Sequence, residues 1–132
     1  MPLDPELLEE AFYLPEGLMI DEVLEVDEAE SLVRVRMPTH DALPLTNLQR
    51  VHPERHPRHV SGGLIVHMTG VAGMVHAHYV FGLRHSEGWV GYGGAIHKGR
   101  FKNLAPPGEP GILAPSPEAA SRAWMRWLEF WI

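Results

Sequence analysis

The 132-residue chain contains no cysteine. Disulfide frameworks, zinc–thiolate centres and a cysteine nucleophile are therefore excluded, and a reducing compartment is permitted. There is no surplus of positive charge either. Eleven Lys and Arg stand against 17 Asp and Glu, a formal net charge of −6. A nucleic-acid partner, whose affinity would rest on neutralising phosphates, is not expected. No uninterrupted apolar run reaches the roughly 18 residues that mark a membrane span, and no basic start leads into an apolar stretch of the signal-peptide kind. The expectation is a cytoplasmic protein with no membrane partner. One further absence is local: from Ser61 to Phe81 there is no Asp or Glu. Acid–base chemistry in that stretch has to come from histidine.

What is present is an ordinary globular balance, 45% hydrophobic and 21% charged, in a length that suits one domain with one substantial core. Nine histidines would add positive charge in mild acid. Asp4-Pro5-Glu6 reads as a helix start, with an oxygen-bearing cap, proline in the first turn and an acid near the positive helix end. The helix is expected to reach about Tyr13 and to bury Leu7, Leu8 and Phe12, with Pro15 and Gly17 ending it. Leu18, Ile20, Leu24 and Val26 recur mostly at every second position, which suits a half-buried strand. After a polar turn over Asp27 to Glu30, Val33, Val35 and Met37 alternate with Arg34 and Arg36. The pair predicts a β-hairpin.

Pro38 to Val60 carries four prolines and four histidines (His40, His52, His56, His59) and little periodicity. A loop of that length in a small domain points to function, because ordering it costs entropy that a plain connector need not lose. Ser61-Gly62-Gly63 then leads into an apolar segment ending at Phe81. Leu64, Met68, Val71, Ala72, Val75 and Tyr79 share helical spacing, and apolar or small residues lie nearly all round, as in a buried central helix. Gly70 and Gly73 cost roughly 1 kcal/mol each in helix propensity, so close packing against a neighbour is expected there. A turn over Gly82 to Gly88, a glycine-rich strand from Trp89 to Ile96 and a firm break at Ala105 to Pro110 follow. From Ser116 a final segment is read as helical, with Trp124, Trp127, Leu128 and Trp131 on one stripe.

Two places resemble the hotdog superfamily, which includes acyl-CoA thioesterases and hydroxyacyl-carrier-protein dehydratases. Val60-Ser61-Gly62-Gly63-Leu64-Ile65 is similar to the loop-to-helix junction those families write as Pro-Gly-Val-Leu or His-Gly-Gly. Gly94 to Glu109 is similar to the strand in which an Arg-Phe pair, here Arg100-Phe101, precedes a Pro-Gly-Asp/Glu turn, here Pro107-Gly108-Glu109. The resemblance covers residues 17 to 110. It implies an α+β hotdog fold across residues 1–132, with a curved antiparallel sheet around a long central helix. It also implies a homodimer or higher homo-oligomer whose partners share the site. Only 22 residues follow Pro110, too few for the two long closing strands of that family. The end, 111–132, is therefore expected to be shortened or altered and to form a helical tail.

The resemblance implies acyl thioester chemistry on coenzyme A or acyl-carrier protein. Gly62 and Gly63 would aim backbone N–H groups at the thioester oxygen. His67, occupying the dehydratase glutamate's place, is the leading general base; the bland reading is a histidine bonded to a backbone carbonyl. His56 and His59 are further acid–base candidates. Ser61, where the thioesterase pattern has histidine, is a helix cap, the favoured reading, an anchor for the thioester or a nucleophile. Arg100 and Lys102 would attract the carrier's phosphates or lie on a solvated strand face. Joining His56, His59 and His67 around a metal is chemically feasible, but no carboxylate lies at ligand spacing, and no metal or other cofactor is expected. His76 and His78, on different helix faces, are read as structural. Thioester hydrolysis is the leading function. The alternatives are a 3-hydroxyacyl thioester dehydratase or hydratase and a non-catalytic acyl-binding domain.

Overall fold

Asp4 opens the first helix. Its carboxylate accepts a hydrogen bond from Leu7 N–H at 2.7 Å, and Pro5 stands in the first turn, where no N–H is required. The computed structural model describes residues 1–91, 101, 103–108 and 110–113, and α1 runs Pro5–Glu10. It is shorter than its sequence pattern predicts: Ala11 is already extended. Leu7 is buried, whereas Phe12 is 42% exposed and lies outside the core. Proline starts a helix a second time at Pro15, and α2 (Pro15–Leu18) ends at Met19, whose φ is +56°. Leu18 is fully buried, but as the end of this helical turn and not as the start of a strand.

The hairpin forms as predicted, with β1 (Glu22–Asp27) antiparallel to β2 (Leu32–Met37). Asp27 Oδ1 accepts from Glu30 N–H at 2.9 Å and closes the turn. In β2 the alternation is strict: Val33, Val35 and Met37 are buried and Arg34 is exposed. In β1 it is broken. Val23 pairs with Val35 but Glu25 pairs with Arg34, so one extra residue is inserted. That bulge turns Leu24 outward, 42% exposed, while Val23 is buried. Even-numbered spacing alone put Leu24 on the inner face, and the bulge is the reason it is not there.

A third strand, β3 (Gly111–Leu113), pairs antiparallel with β2 and gives the order β1-β2-β3. This corrects the expectation that the chain beyond Pro110 makes no strand. The turn at Pro107 and Gly108 reverses the chain onto the open edge of β2, whose N–H and C=O groups need partners. Trp89 to Gly91 form neither strand nor helix. The rest of the strand read over Trp89 to Ile96, and the helical segment with Trp124, Trp127, Leu128 and Trp131, lie outside the described residues.

The glycine-led segment is α3 (Gly62–Val80), 19 residues long. It packs on all three strands. Val71, Ala72 and Val75 join Leu7, Leu18, Val23, Val33 and Val35 in one cluster. Met68 joins Met37, Leu43 and Val60 in a second. The helix is not buried all round. Gly63, Val66, Thr69 and Gly70 are exposed, and among the described residues a Cβ added at Gly70 or Gly73 would meet nothing within 4 Å. The expected close packing at these glycines is thus not found there. The described chain is α+β, an antiparallel three-stranded sheet under one long helix. Among the described residues no helix is long and apolar enough to cross a membrane.

The bulge and the helical turn before it separate two leucines of similar sequence context. Leu18→Ala should cost about 3 kcal/mol and Leu24→Ala no more than about 0.5 kcal/mol, read from urea midpoints. Equal costs would contradict the assignment of residues 15–27.

Candidate functional site

Residues 60–65 meet the described residues Phe101 and Ala105 in space. Val60 N–H donates to Ala105 O at 2.8 Å, tying the residue before the helix to the Pro-Gly segment. Val60 is buried, and Ala105 packs against its cluster. Phe101 lies over the first helical residue, so that a Cβ on Gly62 would come 3.3 Å from its ring. A side chain there would need the exposed Phe101 ring to give way by a few tenths of an ångström. Gly108, with φ +106°, donates its N–H to Thr39 O at 2.8 Å and anchors the far end of the same segment to the start of the long loop. In sequence Phe101 is only part of a motif; its place over Gly62 is a contact that no local pattern shows.

At the helix start, Ser61 O accepts from Leu64 N–H at 3.0 Å and from Ile65 N–H at 3.2 Å. Ser61 Oγ makes no capping bond, so the capping role expected for this side chain is not filled. Among the described residues Gly62 N–H and Gly63 N–H have no acceptor. Two donors at the positive end of a 19-residue helix are therefore free to bind an oxygen.

His67 lies one turn beyond Gly63 on the same face, about 6 Å along the axis. It is half-buried, and its Nε2 lies 2.7 Å from Gly17 O. A carbonyl only accepts, so Nε2 carries the proton and a neutral ring keeps its lone pair on Nδ1. The ring of Tyr13 packs edge-on to it at 4.9 Å. Gly17 and Tyr13 thus fix the tautomer and plane of His67. Neither role was evident from sequence, where both residues read only as the end of the first helix.

His56 and His59 come together, edge to face at 5.1 Å. His59 Nδ1 donates to Pro57 O at 2.7 Å, and its backbone is held at both N–H and C=O by the Gln49 side chain. Backbone N–H and C=O of His56 pair with His52 at 2.9 and 2.8 Å. The loop over 38–60 is therefore internally tied, and no described contact brings either histidine ring to His67. Among the described residues no three His, Cys, Asp or Glu gather as metal ligands. Arg100 and Lys102 lie outside the described residues.

His76 and His78 are both buried. His76 Nε2 donates to Ser31 O at 2.9 Å, joining α3 to the hairpin turn. His78 packs edge-on to Tyr79, whose hydroxyl donates to Asp4 Oδ2. Both rings have a buried Nδ1 without a partner among the described residues. Burial, reinforced by the positive charge of Arg84, pushes His78 below its ordinary value, against weaker opposition from Glu6, Asp4 and Glu10.

No protein-family model matches the chain, and no curated protein matches it.

The lowered value of His78 has a defined sign. The unfolded chain takes up the proton first as pH falls below about 6.5, so stability is full above that value and declines until the folded ring also protonates. Urea midpoints between pH 7.5 and 5 should fall in the wild type and flatten in His78→Phe, which stays neutral throughout. An identical decline in both proteins would remove His78 as the cause.

Proposed function

We propose that the chain is a hotdog-type domain that hydrolyses acyl thioesters of coenzyme A or acyl-carrier protein, working as a homodimer or higher homo-oligomer. The observation that carries the reading is the junction at the start of α3, where two free glycine N–H groups lie beside the Phe101–Gly108 segment. In this reading the thioester oxygen accepts from Gly62 N–H and Gly63 N–H. Negative charge that develops on it during attack is stabilised by those donors and by the helix dipole. One such donor is worth about 3 kcal/mol of transition-state stabilisation.

The nucleophile is water. His67 Nδ1, held as the basic nitrogen by the Gly17 carbonyl on Nε2, takes a proton from water as it adds to the carbonyl carbon. The resulting imidazolium returns a proton to the departing thiolate, leaving acid and free thiol. Ser61 stands beside the oxygen site as a polar contact, and Arg100 and Lys102 are proposed to face the carrier. His56 and His59 belong to the loop that borders this junction and serve it from the same chain or from a partner subunit.

A second reading has an observation of its own. The His67 ring is engaged by a backbone carbonyl and no carboxylate lies on α3, which also suits a domain that binds acyl thioesters without cleaving them.

Thiol release from short-, medium- and long-chain and aromatic acyl-CoAs separates the two. Wild type should turn over at least one of them, and His67→Ala should slow it about 10²–10⁴-fold with folding intact. Binding of acyl-CoA by folded protein without any thiol release would establish the second reading, and hydration of enoyl thioesters would move the chemistry to the dehydratase class.

A further inference from the structure

The long loop and the Pro-Gly turn border a shallow surface depression of about 340 Å³ lined by His40, Asp41, Arg58, Pro107 and Gly108. Its lining carries one cation, Arg58, one carboxylate, Asp41, and one histidine, His40, and the loop that supplies them is basic for this chain. Residues 38–60 hold three arginines and four histidines against Asp41 and Glu54, in a chain of net charge −6. Arg58 is half-buried and pre-positioned: one guanidinium nitrogen donates to Thr46 O at 2.8 Å. Among the described residues it pairs with Asp41, which is 73% exposed at the side chain and lies 4.0 Å away, a weak contact in water. The guanidinium keeps donors beyond the one given to Thr46, and His40, which also lines the depression, can add a ring N–H donor. Gly108, in a backbone conformation that side chains rarely adopt, forms the opposite wall without a side chain to fill it.

We propose that this depression binds a phosphate group, with Arg58 as the principal ligand and His40 as the second. A phosphate oxygen pair matches the planar guanidinium fork better than a single carboxylate oxygen at 4.0 Å does. The site is connected to the candidate active site by one short piece of chain. Phe101 covers Gly62, Ala105 bonds Val60, and Pro107 and Gly108 line the depression. A carrier lying along residues 101–108 would place its thioester at the start of α3 and its phosphate in the depression. The physiological source of the phosphate, a coenzyme A or phosphopantetheine carrier, rests on the thioester reading above; the phosphate chemistry of the depression does not.

Titration calorimetry with coenzyme A, pantetheine and inorganic pyrophosphate tests both layers. Coenzyme A should bind about tenfold or more tightly than pantetheine, and Arg58→Met should erase that difference. Arg58→Met also removes the loop bond to Thr46, so two further variants keep the test open. His40→Ala should weaken coenzyme A binding, and Asp41→Asn should strengthen it by relieving repulsion. Pyrophosphate bound through Arg58, with coenzyme A and pantetheine both ignored, would uphold the phosphate site and remove the thioester carrier as its source. Pantetheine bound as tightly as coenzyme A, with His40→Ala and Asp41→Asn both silent, would overturn the phosphate site and leave the thioester reading standing. No binding of any of the three probes would overturn both.

Discussion

The hydrogen bond from Val60 N–H to Ala105 O joins two parts of the chain that are 45 residues apart in number, and the candidate site depends on it. It holds the Pro-Gly segment against the start of α3. Residues 110–113 can then return to the free edge of β2, and Phe101 can rest on Gly62. Because Val60 is buried within the Met37, Leu43 and Met68 cluster, the bond sits where water competes poorly. A buried donor left without its acceptor would cost about 1–3 kcal/mol. The strap is thus fixed by packing as much as by the bond itself.

The two ends of α3 are organised by different physics. At its start, bare glycines leave backbone N–H groups without an acceptor among the described residues, Gly63 exposed and Gly62 half-buried beneath Phe101. At its end the chain closes on itself: Tyr79 bonds Asp4, the cap of α1, while Arg84 pairs with Glu6 at 2.7 Å and Glu10 accepts from Ser86 N–H and hydroxyl. Those bonds hold the Glu10 carboxyl below its usual range. His76 and His78 lie in this closed half, and His67 lies in the open one. Position along one helix therefore separates the buried histidines, His76 and His78, from the half-buried His67.

Much of this was legible in the sequence where a single period ruled. Strict alternation from Leu32 to Met37 and 3.6-residue spacing from Gly62 to Val80 each fixed an element and its inner face. The signal failed where local chemistry changed the period. Pro15, read as the end of the first helix, instead starts a helical turn that takes in Leu18, read as strand, and the bulge at Leu24 reversed the face of β1 midway. β3 is three residues long and had no pattern of its own; it forms because β2 offers an edge. Of the candidate site, the glycine donors and His67 were legible by motif and position. The partners that fix His67, Tyr13 and Gly17, were not, because a contact 50 residues distant leaves no periodic trace. The outer face of α3, with Val66, Thr69 and Gly70 exposed, was misread as buried because small residues resemble apolar ones in composition.

The central claim is that Gly62 and Gly63 present their N–H groups to the oxygen of an acyl thioester. Amide-resolved NMR on ¹⁵N-labelled protein tests it directly, using an acyl-coenzyme A analogue in which a ketone replaces the thioester. The account predicts that the Gly62 and Gly63 amides exchange freely in the apo protein and gain protection and shift downfield on addition of the analogue, while Val60 stays protected throughout. Binding of the analogue with both glycine amides unchanged, or a Val60 amide that exchanges as fast as the glycines, would contradict it.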